Sequence, residues 1–296
     1  MVPGGQQILY DAGLEGMNGL TEHLVSTEWL HDALSYPTVR ILDVGSEDDR
    51  DYRRGHAPGA LWQHWQTLCW DETVRQFATP TQMATRLGAL GVADEDTLVL
   101  MSDEPQYATY AFFTMFLAGV PNVRLLNGSR YAWVTEGRPL TVETPVPRPV
   151  YRTAGVGDSS SRVGREEILD GLGAPGRIIV DARSPEEYRG ERVMPLPHFD
   201  HGAQRPGRIP GAVHLYYESL LNRDRTFRSP AEIASLLEDL GITPQDDMEI
   251  VAYCRLSHRA TLVWFALTQI LKRPGVRVYD GSWTEWGSMV GMPIEP

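Results

Sequence analysis

The sequence is short of cysteine, lysine and long apolar runs. Its 296 residues include two cysteines, Cys69 and Cys254, and one lysine, Lys272. Two cysteines cannot supply a four-thiolate zinc site or a disulfide framework, and a lone lysine leaves one poor candidate for Schiff-base chemistry. No segment approaches the roughly 20 consecutive apolar residues that a membrane span needs. We therefore expect no membrane partner, and any thiol chemistry must rest on a single residue.

Basic residues are also scarce relative to acidic ones. Lys and Arg total 27 against 39 Asp and Glu, which gives a formal net charge of −12. Nucleic-acid binding needs a basic face that attracts phosphates, so we expect no nucleic-acid partner. The first residues, MVPGGQQILYDAGLEG, lack the basic and then apolar order of a secretory signal. We predict a loose N-terminal tail over residues 1–20 and a cytoplasmic location.

The two halves of the chain repeat one order of segments. RILDVG, TLVLMSDE and VRLLNGSRYAW in the first half correspond to RIIVDARS, EIVAYCRL and VRVYDGSWTEW in the second. Self-similarity at such a long period indicates a duplicated architecture. The stretch 143–162 is rich in Pro, Gly and Ser, a composition typical of linkers. We predict one domain over residues 21–145, a linker over residues 146–162 and a second domain over residues 163–296.

Within each half, short β-branched runs alternate with amphipathic helical patterns. The helical patterns include TPTQMATRLGAL, SPAEIASLLEDL and RATLVWFALTQILKR. This alternation predicts an α/β fold with a mainly parallel sheet flanked by helices in each domain. Ligands of such sheets bind beyond the carboxyl ends of the strands. The run EIVAY ends immediately before Cys254, which places this cysteine where catalytic groups usually lie.

The surroundings of Cys254 favour a reactive thiolate. A helix is predicted to begin near Arg259, and its N-terminus would direct free N–H groups toward the sulfur. Residues 250–279 contain no acidic residue, but they contain five basic ones, Arg255, Arg259, Lys272, Arg273 and Arg277. Cations and a helix N-terminus together make a cysteine nucleophilic. The alternative is a buried cysteine with a packing role, which we assign to Cys69.

Four segments of the second half carry a specific resemblance. VDARSPEEYRGE, RPGRIPGAVHL, VAYCRLSHRA and VYDGSWTEWGSMVGMPIEP resemble the carboxyl-terminal domain of the tandem-domain rhodaneses, the thiosulfate and 3-mercaptopyruvate sulfurtransferases. The likeness extends over residues 24–296. In that family only the second domain carries the nucleophilic cysteine, at the start of a six-residue loop. Aligning TLVLMSDE with EIVAYCRL places Ser102 opposite Cys254, so the resemblance implies a catalytically silent first domain.

The resemblance implies a double-displacement reaction through a Cys254 persulfide, without a metal or organic cofactor. A small anionic sulfur donor would bind first, and cyanide, a thiol or a protein would accept the sulfur. The residues implied to bind the donor are Arg183, Arg255, Ser257, His258, Arg259 and Trp283, and Asp181 would orient the loop. A structural Asp181–Arg183 salt bridge and core packing of Trp283 are the alternatives.

The loop residues bear on the identity of the donor. Arg255 matches the thiosulfate type of loop, whereas the mercaptopyruvate type usually has glycine there. Ser257 stands where both types usually have glycine, which tolerates a positive φ better than serine does. We expect thiosulfate to be preferred, but the sequence does not name the physiological donor, the acceptor or the oligomeric state.

The residues also leave open three interpretations other than a sulfurtransferase without a metal. A persulfide carrier with weak turnover is the second hypothesis. A thiol phosphatase or arsenate reductase fits less well, because those phosphatases place five residues between cysteine and arginine, whereas Cys254 and Arg259 enclose four. His198, Asp200 and His201 could bind a metal, but their spacing matches no known zinc pattern, and we expect a solvated loop there.

Overall fold

A computed structural model describes residues 20–243 and 247–296. Nearly all of the predicted N-terminal tail, residues 1–20, therefore lies outside the described residues. The chain divides into two compact units. The first unit runs to Gly157 and also includes Asp224–Thr226. The second unit contains Asp158–Arg223 and Phe227–Pro296.

The first unit contains a parallel sheet of five strands in the order β1-β5-β4-β2-β3. The strands are β1 (Leu24–Val25), β2 (Val39–Gly45), β3 (Ala60–His64), β4 (Thr97–Ser102) and β5 (Val123–Leu126). The helices are α1 (Thr27–Ala33), α2 (Arg50–Arg54), α3 (Trp65–Cys69), α4 (Pro80–Ala89), α5 (Pro105–Leu117) and α6 (Ser129–Thr135).

The second unit contains a second parallel sheet of five strands, in the order β6-β10-β9-β7-β8. Its strands are β6 (Arg162–Val163), β7 (Arg177–Asp181), β8 (Val213–His214), β9 (Glu249–Tyr253) and β10 (Val276–Tyr279). Its helices are α7 (Arg165–Asp170), α8 (Pro185–Tyr188), α9 (Pro230–Asp239), α10 (His258–Phe265) and α11 (Ser282–Trp286), with a 3-10 helix at Tyr217–Leu220 and a π-helix at Ala266–Ile270.

Both sheets have the same topology, because the strands of each unit follow one another in the spatial order first, fifth, fourth, second, third. The predicted α/β fold with two parallel sheets is confirmed. The central strands β4 and β9 are buried along nearly their whole length, as expected for parallel strands that helices cover on both faces. The duplication read from the sequence is therefore a duplication of structure.

Three helices begin with the same local signal, a capping residue followed by proline. Thr79, Ser184 and Ser229 each accept a hydrogen bond from the backbone N–H three residues later, and the Gln or Glu at that position bonds back to the cap. The proline that follows each cap has no N–H to lose at the first helical position. These signals fix where α4, α8 and α9 begin.

One predicted helix differs in the structure. The pattern RATLVWFALTQILKR predicts a continuous helix, but α10 ends at Phe265 and Ala266–Ile270 continue as a π-helix. Lys272, with φ of 56°, then leaves the helical region altogether. Apolar spacing does not distinguish a π turn from an α turn over so few residues, so the sequence could not predict this change.

Much of the segment predicted as a linker packs along the first unit. The N–H of Val150 donates to the carbonyl of Gly88 at 2.9 Å, and Thr153 Oγ1 donates to Asp94 Oδ2 at 2.7 Å. The Arg152 side chain is buried and donates to the carbonyl of Ala93. The backbone around Val156 approaches Gly119 so closely that a Cβ on Gly119 would overlap the Val156 carbonyl oxygen.

Gly119→Ala should lower the free energy of unfolding more than Gly137→Ala does. Both glycines have φ of 69°, but no atom lies within 4 Å of a Cβ placed on Gly137. A left-handed backbone costs an alanine about 1–2 kcal/mol, and only Gly119→Ala adds the collision with Val156. Urea unfolding measures both losses, and limited proteolysis within residues 146–157 reports whether the segment detaches. Equal losses and equal proteolysis would contradict the close approach.

Candidate active site around Cys254

Cys254 lies at the carboxyl end of the central strand of the second sheet. It follows β9 directly, and α10 begins four residues later at His258. The residue is almost completely buried, with 1% of its surface exposed. The loop 254–259 thus connects a central parallel strand to a helix whose first N–H groups have no partner within the helix. Such a position suits the binding and transfer of small anionic groups.

Helix α11 holds the backbone of Cys254 on both sides. The N–H of Cys254 donates to Ser282 Oγ at 3.2 Å, and Ser282 Oγ donates to the carbonyl of Tyr279 at 2.8 Å. The carbonyl of Cys254 accepts the N–H of Trp283 at 2.9 Å. Ser282 has φ of 51°, so the first residue of α11 is left-handed. The backbone of Cys254 is therefore fixed through both its N–H and its carbonyl.

Ser257 provides the left-handed turn that precedes α10. Its φ is 62°, so the turn falls on the residue that stands in place of glycine. Its hydroxyl lies 2.8 Å from Asp280 Oδ1 and 2.8 Å from the carbonyl oxygen of Leu256, and it can donate to either. Asp280 is buried and also accepts a hydrogen bond from Arg162 at 3.2 Å. These bonds offset the strain that glycine would avoid.

Arg259 forms a buried ion pair with Glu187. Its Nη1 and Nη2 donate to Glu187 Oε2 and Oε1 at 2.5 and 2.9 Å. Burial opposes the charged guanidinium, but the Glu187 carboxylate outweighs burial and raises the pKa of Arg259. Arg259 is also the last residue of the six-residue loop that begins with Cys254, and it lies in the first turn of α10. Glu187 was not among the residues that the sequence assigned to the site.

Asp181 and Arg183 form a second buried pair, at the carboxyl end of β7. Nε of Arg183 lies 3.0 Å from Asp181 Oδ1, and its Nη2 donates to Asp181 Oδ2 at 2.6 Å and to the carbonyl of Gly207 at 2.7 Å. Tyr253 donates its hydroxyl to Asp181 Oδ2 at 2.5 Å. Burial would raise the pKa of Asp181, but Arg183 and Tyr253 outweigh burial and lower it.

Arg183 is packed between aromatic rings. Its guanidinium carbon lies 4.5 Å from the ring centre of Trp283 and 5.5 Å from that of Tyr253, and none of its side chain is exposed. Within the described part of the chain, its Nη1 has no hydrogen-bond partner. Trp283 is itself fully buried and donates Nε1–H to the carbonyl of Arg205 at 2.9 Å. Trp283 thus belongs to the core of the second unit and covers Arg183.

Arg255 and His258 are both held by contacts within the second unit. The carbonyl of Arg255 accepts the N–H and the hydroxyl of Thr284 at 3.0 and 2.7 Å, and its guanidinium lies against Gly202. His258 is nearly buried at the first position of α10, and its carbonyl accepts the hydroxyl of Thr261 at 2.7 Å. The residues predicted around Cys254 therefore all belong to one region of the second unit.

The loop that contains His198, Asp200 and His201 is held together by hydrogen bonds to the Asp200 carboxylate. Asp200 Oδ1 accepts the N–H groups of Val193 and Met194 at 2.9 and 3.0 Å, while His198 and His201 are exposed. Among residues 20–243 and 247–296, no group of three or more His, Cys, Asp or Glu side chains could hold a metal ion. The Asp200 carboxylate has a local structural function in this turn.

The first unit repeats the backbone geometry of the site without the thiol. The N–H of Ser102, at the end of β4, donates to Ser129 Oγ at 2.7 Å, and Ser129 has φ of 53°. This bond corresponds to the one between Cys254 and Ser282. The other cysteine, Cys69, ends α3 and is fully buried, which raises the pKa of its thiol to about 12. The two cysteines therefore lie in chemically different surroundings.

Comparison with known sequences places these observations in a family. The model of the rhodanese-like domain matches residues 26–136 and 165–289. The sulfur carrier protein TtuD of Thermus thermophilus is 43% identical over 281 residues, which cover 92% of this chain and 96% of TtuD. A Mycobacterium bovis protein named "Putative thiosulfate sulfurtransferase 1" is 38% identical over 274 residues, which cover 92% of this chain and 97% of that protein.

Solved structures with a similar fold are also found. An anaerobic ergothioneine biosynthesis enzyme from Chlorobium limicola, in complex with trimethyl histidine, superposes with a TM-score of 0.79 at 25% identity, covering 93% of this chain and 70% of that one. A variant of EanB described as a cysteine persulfide with ergothioneine has a TM-score of 0.80 at 25% identity, with the same coverage. The site is a strand-to-helix cysteine loop on a duplicated α/β fold. The chain belongs to the rhodanese family, and the predicted resemblance is confirmed.

Nothing in the described parts of the chain suggests insertion in a bilayer as a helix. None of the helices over residues 20–243 and 247–296 is long and apolar enough to cross a membrane.

The backbone at Ser257 yields a prediction about stability. Ser257→Ala keeps the left-handed strain and loses the bond to Asp280, whereas Ser257→Gly loses the bond and relieves the strain. We expect the alanine variant to unfold with a free energy about 1–2 kcal/mol lower than that of the glycine variant. Denaturant unfolding of the two proteins measures this difference. An alanine variant as stable as the glycine variant would show that residue 257 does not hold a positive φ.

Proposed function

We propose that the protein is a sulfurtransferase in which Cys254 carries sulfane sulfur as a persulfide. The observation that carries this proposal is the position of Cys254, which follows the central strand β9, precedes the N-terminus of α10 and begins the loop that ends at the buried Arg259. Hydrogen-bond donors and cations aimed at a sulfur stabilise negative charge on it. The family and its relatives named for thiosulfate sulfur transfer support the same chemistry.

Thiosulfate is the proposed donor, and the reaction balances without a cofactor. The Cys254 thiolate attacks the outer sulfur of thiosulfate. The sulfur–sulfur bond of thiosulfate breaks, and sulfite leaves with the electron pair, so that Cys254 becomes a persulfide. A nucleophilic acceptor such as cyanide or a thiol then attacks the outer sulfur of this persulfide. Thiocyanate or a new persulfide forms, and the Cys254 thiolate is released. Such a reaction gives ping-pong kinetics.

The proposed roles of the surrounding residues follow from their positions. Loop N–H groups, Arg255 and His258 would bind the anionic end of the donor, and Ser257 would hold the loop in place through Asp280. Arg183 would contact the donor through Nη1, which has no hydrogen-bond partner in the described part of the chain, and the ring of Trp283 would pack against its guanidinium. Asp181 would orient the loop through the hydroxyl of Tyr253.

The second candidate function is that of a sulfur carrier. It is supported by TtuD, whose name describes a sulfur carrier protein and which is 43% identical to this chain. A carrier would accept one sulfur atom from a partner enzyme and would not turn over with small substrates. A phosphatase-like reaction has less support, because both outer nitrogens of the Arg259 guanidinium are engaged by Glu187.

Removal of the Cys254 sulfur should abolish sulfur transfer. We expect Cys254→Ser to lower thiocyanate formation from thiosulfate and cyanide by about 10³-fold or more, because no other group in the proposal can carry the sulfur. Cys69→Ser is the matched control and should keep full activity, since burial holds the Cys69 thiol protonated. Wild-type protein that loads one sulfur without repeated turnover would support the carrier, and an active Cys254→Ser variant would refute both.

The donors can be compared directly on Cys254. We expect thiosulfate to give a larger kcat/KM than 3-mercaptopyruvate, because the Arg255 cation next to Cys254 favours the more highly charged donor. Mass spectrometry of the peptide that contains Cys254 should show the gain of one sulfur atom. The Arg255→Gly variant should lose this preference. A wild-type preference for 3-mercaptopyruvate would overturn the role given to Arg255.

A further inference from the structure

Glu187 links two parts of the site that are distant in the sequence. It lies in the short helix α8, and none of its side chain is exposed. Its Oε2 accepts the backbone N–H of Ser184 at 3.0 Å, and both carboxylate oxygens accept N–H groups of Arg259. The carboxylate is thus fixed by its own helix, and it fixes in turn the last residue of the cysteine loop.

The pair has an electrostatic consequence for the sulfur. A lone guanidinium beside a thiolate would stabilise it strongly, because an opposite charge within about 4–6 Å favours the charged form of a group. With the Glu187 carboxylate bound to it, Arg259 presents the sulfur with a dipole, whose field falls off more steeply than that of a charge. Other charged or titratable groups around the pair are Arg183, Glu186, Tyr216, Tyr217 and Glu218. Arg255 and His258 lie in the same loop as the sulfur, and Asp280 bonds to Ser257 of this loop.

We propose that Glu187 is a positioning residue for sulfur transfer, which fixes the Arg259 guanidinium at the end of the cysteine loop and offsets most of the charge that Arg259 would direct at Cys254. The proposal rests on the sulfur-transfer function given above. A sulfur under the full charge of Arg259 would be a weaker nucleophile, since nucleophilicity falls as the pKa of a thiol falls. Without Arg259, a smaller fraction of Cys254 would be in the thiolate form that reacts. The Glu187–Arg259 pair thus balances the nucleophilicity of the Cys254 sulfur against the fraction of Cys254 that is thiolate.

The experiment measures how pH changes the thiolate absorbance of Cys254 in the ultraviolet. The absorbance of each protein is measured against that of the same protein carrying Cys254→Ser. The difference between the two contains the contribution of Cys254 and cancels that of every other group. In Glu187→Gln, we expect the midpoint of the thiolate signal to fall by about one pH unit, because Arg259 loses its counter-charge. In Arg259→Gln, which leaves Glu187 unpaired near the sulfur, we expect the midpoint to rise.

Two further variants separate charge from position. Glu187→Asp keeps the charge but is one methylene shorter, so we expect an unchanged midpoint and a roughly tenfold lower kcat, because small displacements of a positioned group are costly. The double variant E187Q/R259Q removes both charges, and its midpoint should return to within about half a pH unit of the wild-type value. This double-mutant cycle isolates the coupling between the two residues.

The outcomes are distinct. If Glu187→Gln does not fold, Arg259→Gln is compared with E187Q/R259Q. The proposal then requires the thiolate midpoint of the double variant to lie below that of Arg259→Gln, because the double variant lacks the Glu187 charge. A purely structural role for Glu187 predicts reduced stability with one midpoint for all variants, and that result would overturn the proposal. The absorbance needs no sulfur donor. Midpoint shifts in a protein that transfers no sulfur would refute the proposed function alone, and normal turnover without shifts would refute this inference alone.

Discussion

Two buried carboxylates from different elements hold the cysteine loop in place. Asp280, which follows β10, bonds to the hydroxyl of Ser257, and Glu187 of α8 bonds to the guanidinium of Arg259. A charge inside a protein is tolerated only when it is paired and hydrogen-bonded, so each carboxylate permits little freedom in its partner. The left-handed turn at Ser257 and the start of α10 therefore depend on the packing of the whole second unit.

The parallel sheet explains why these groups meet. Asp181 ends β7, Cys254 follows β9 and Asp280 follows β10, and these are three neighbouring strands. The carboxyl ends of parallel strands lie on one edge of a sheet, where ligands of α/β proteins bind. Groups separated by many residues along the chain thus converge at one edge of the second sheet. The fold brings these residues together, and the side chains at and after the strand ends form the candidate site.

Those features of the site that are encoded locally could be predicted from the sequence. The strand EIVAY, the loop with Cys254 and the capping residues of α4, α8 and α9 depend on neighbouring residues only. The ion pair of Glu187 with Arg259 joins residues 72 positions apart. In the sequence, Glu187 is recognisable only as part of the capping box of α8, so no local pattern predicts the ion pair. The burial of Arg183 under Trp283 and the packing of residues 150–156 along the first unit are also tertiary, and composition alone suggested a free linker.

The hydrogen bond between the Ser102 N–H and Ser129 Oγ bears on the difference between the two units. The backbone bonds of Ser102 to Ser129 and of Cys254 to Ser282 match, so the duplicated scaffold itself does not distinguish the two loops. The residues that follow do, because Ser102 precedes Asp103 and Glu104, whereas Cys254 precedes Arg255. The local charge is thus inverted from one copy to the other. A cysteine introduced at position 102 would therefore be followed by two acidic residues, and an anion approaching it would be repelled.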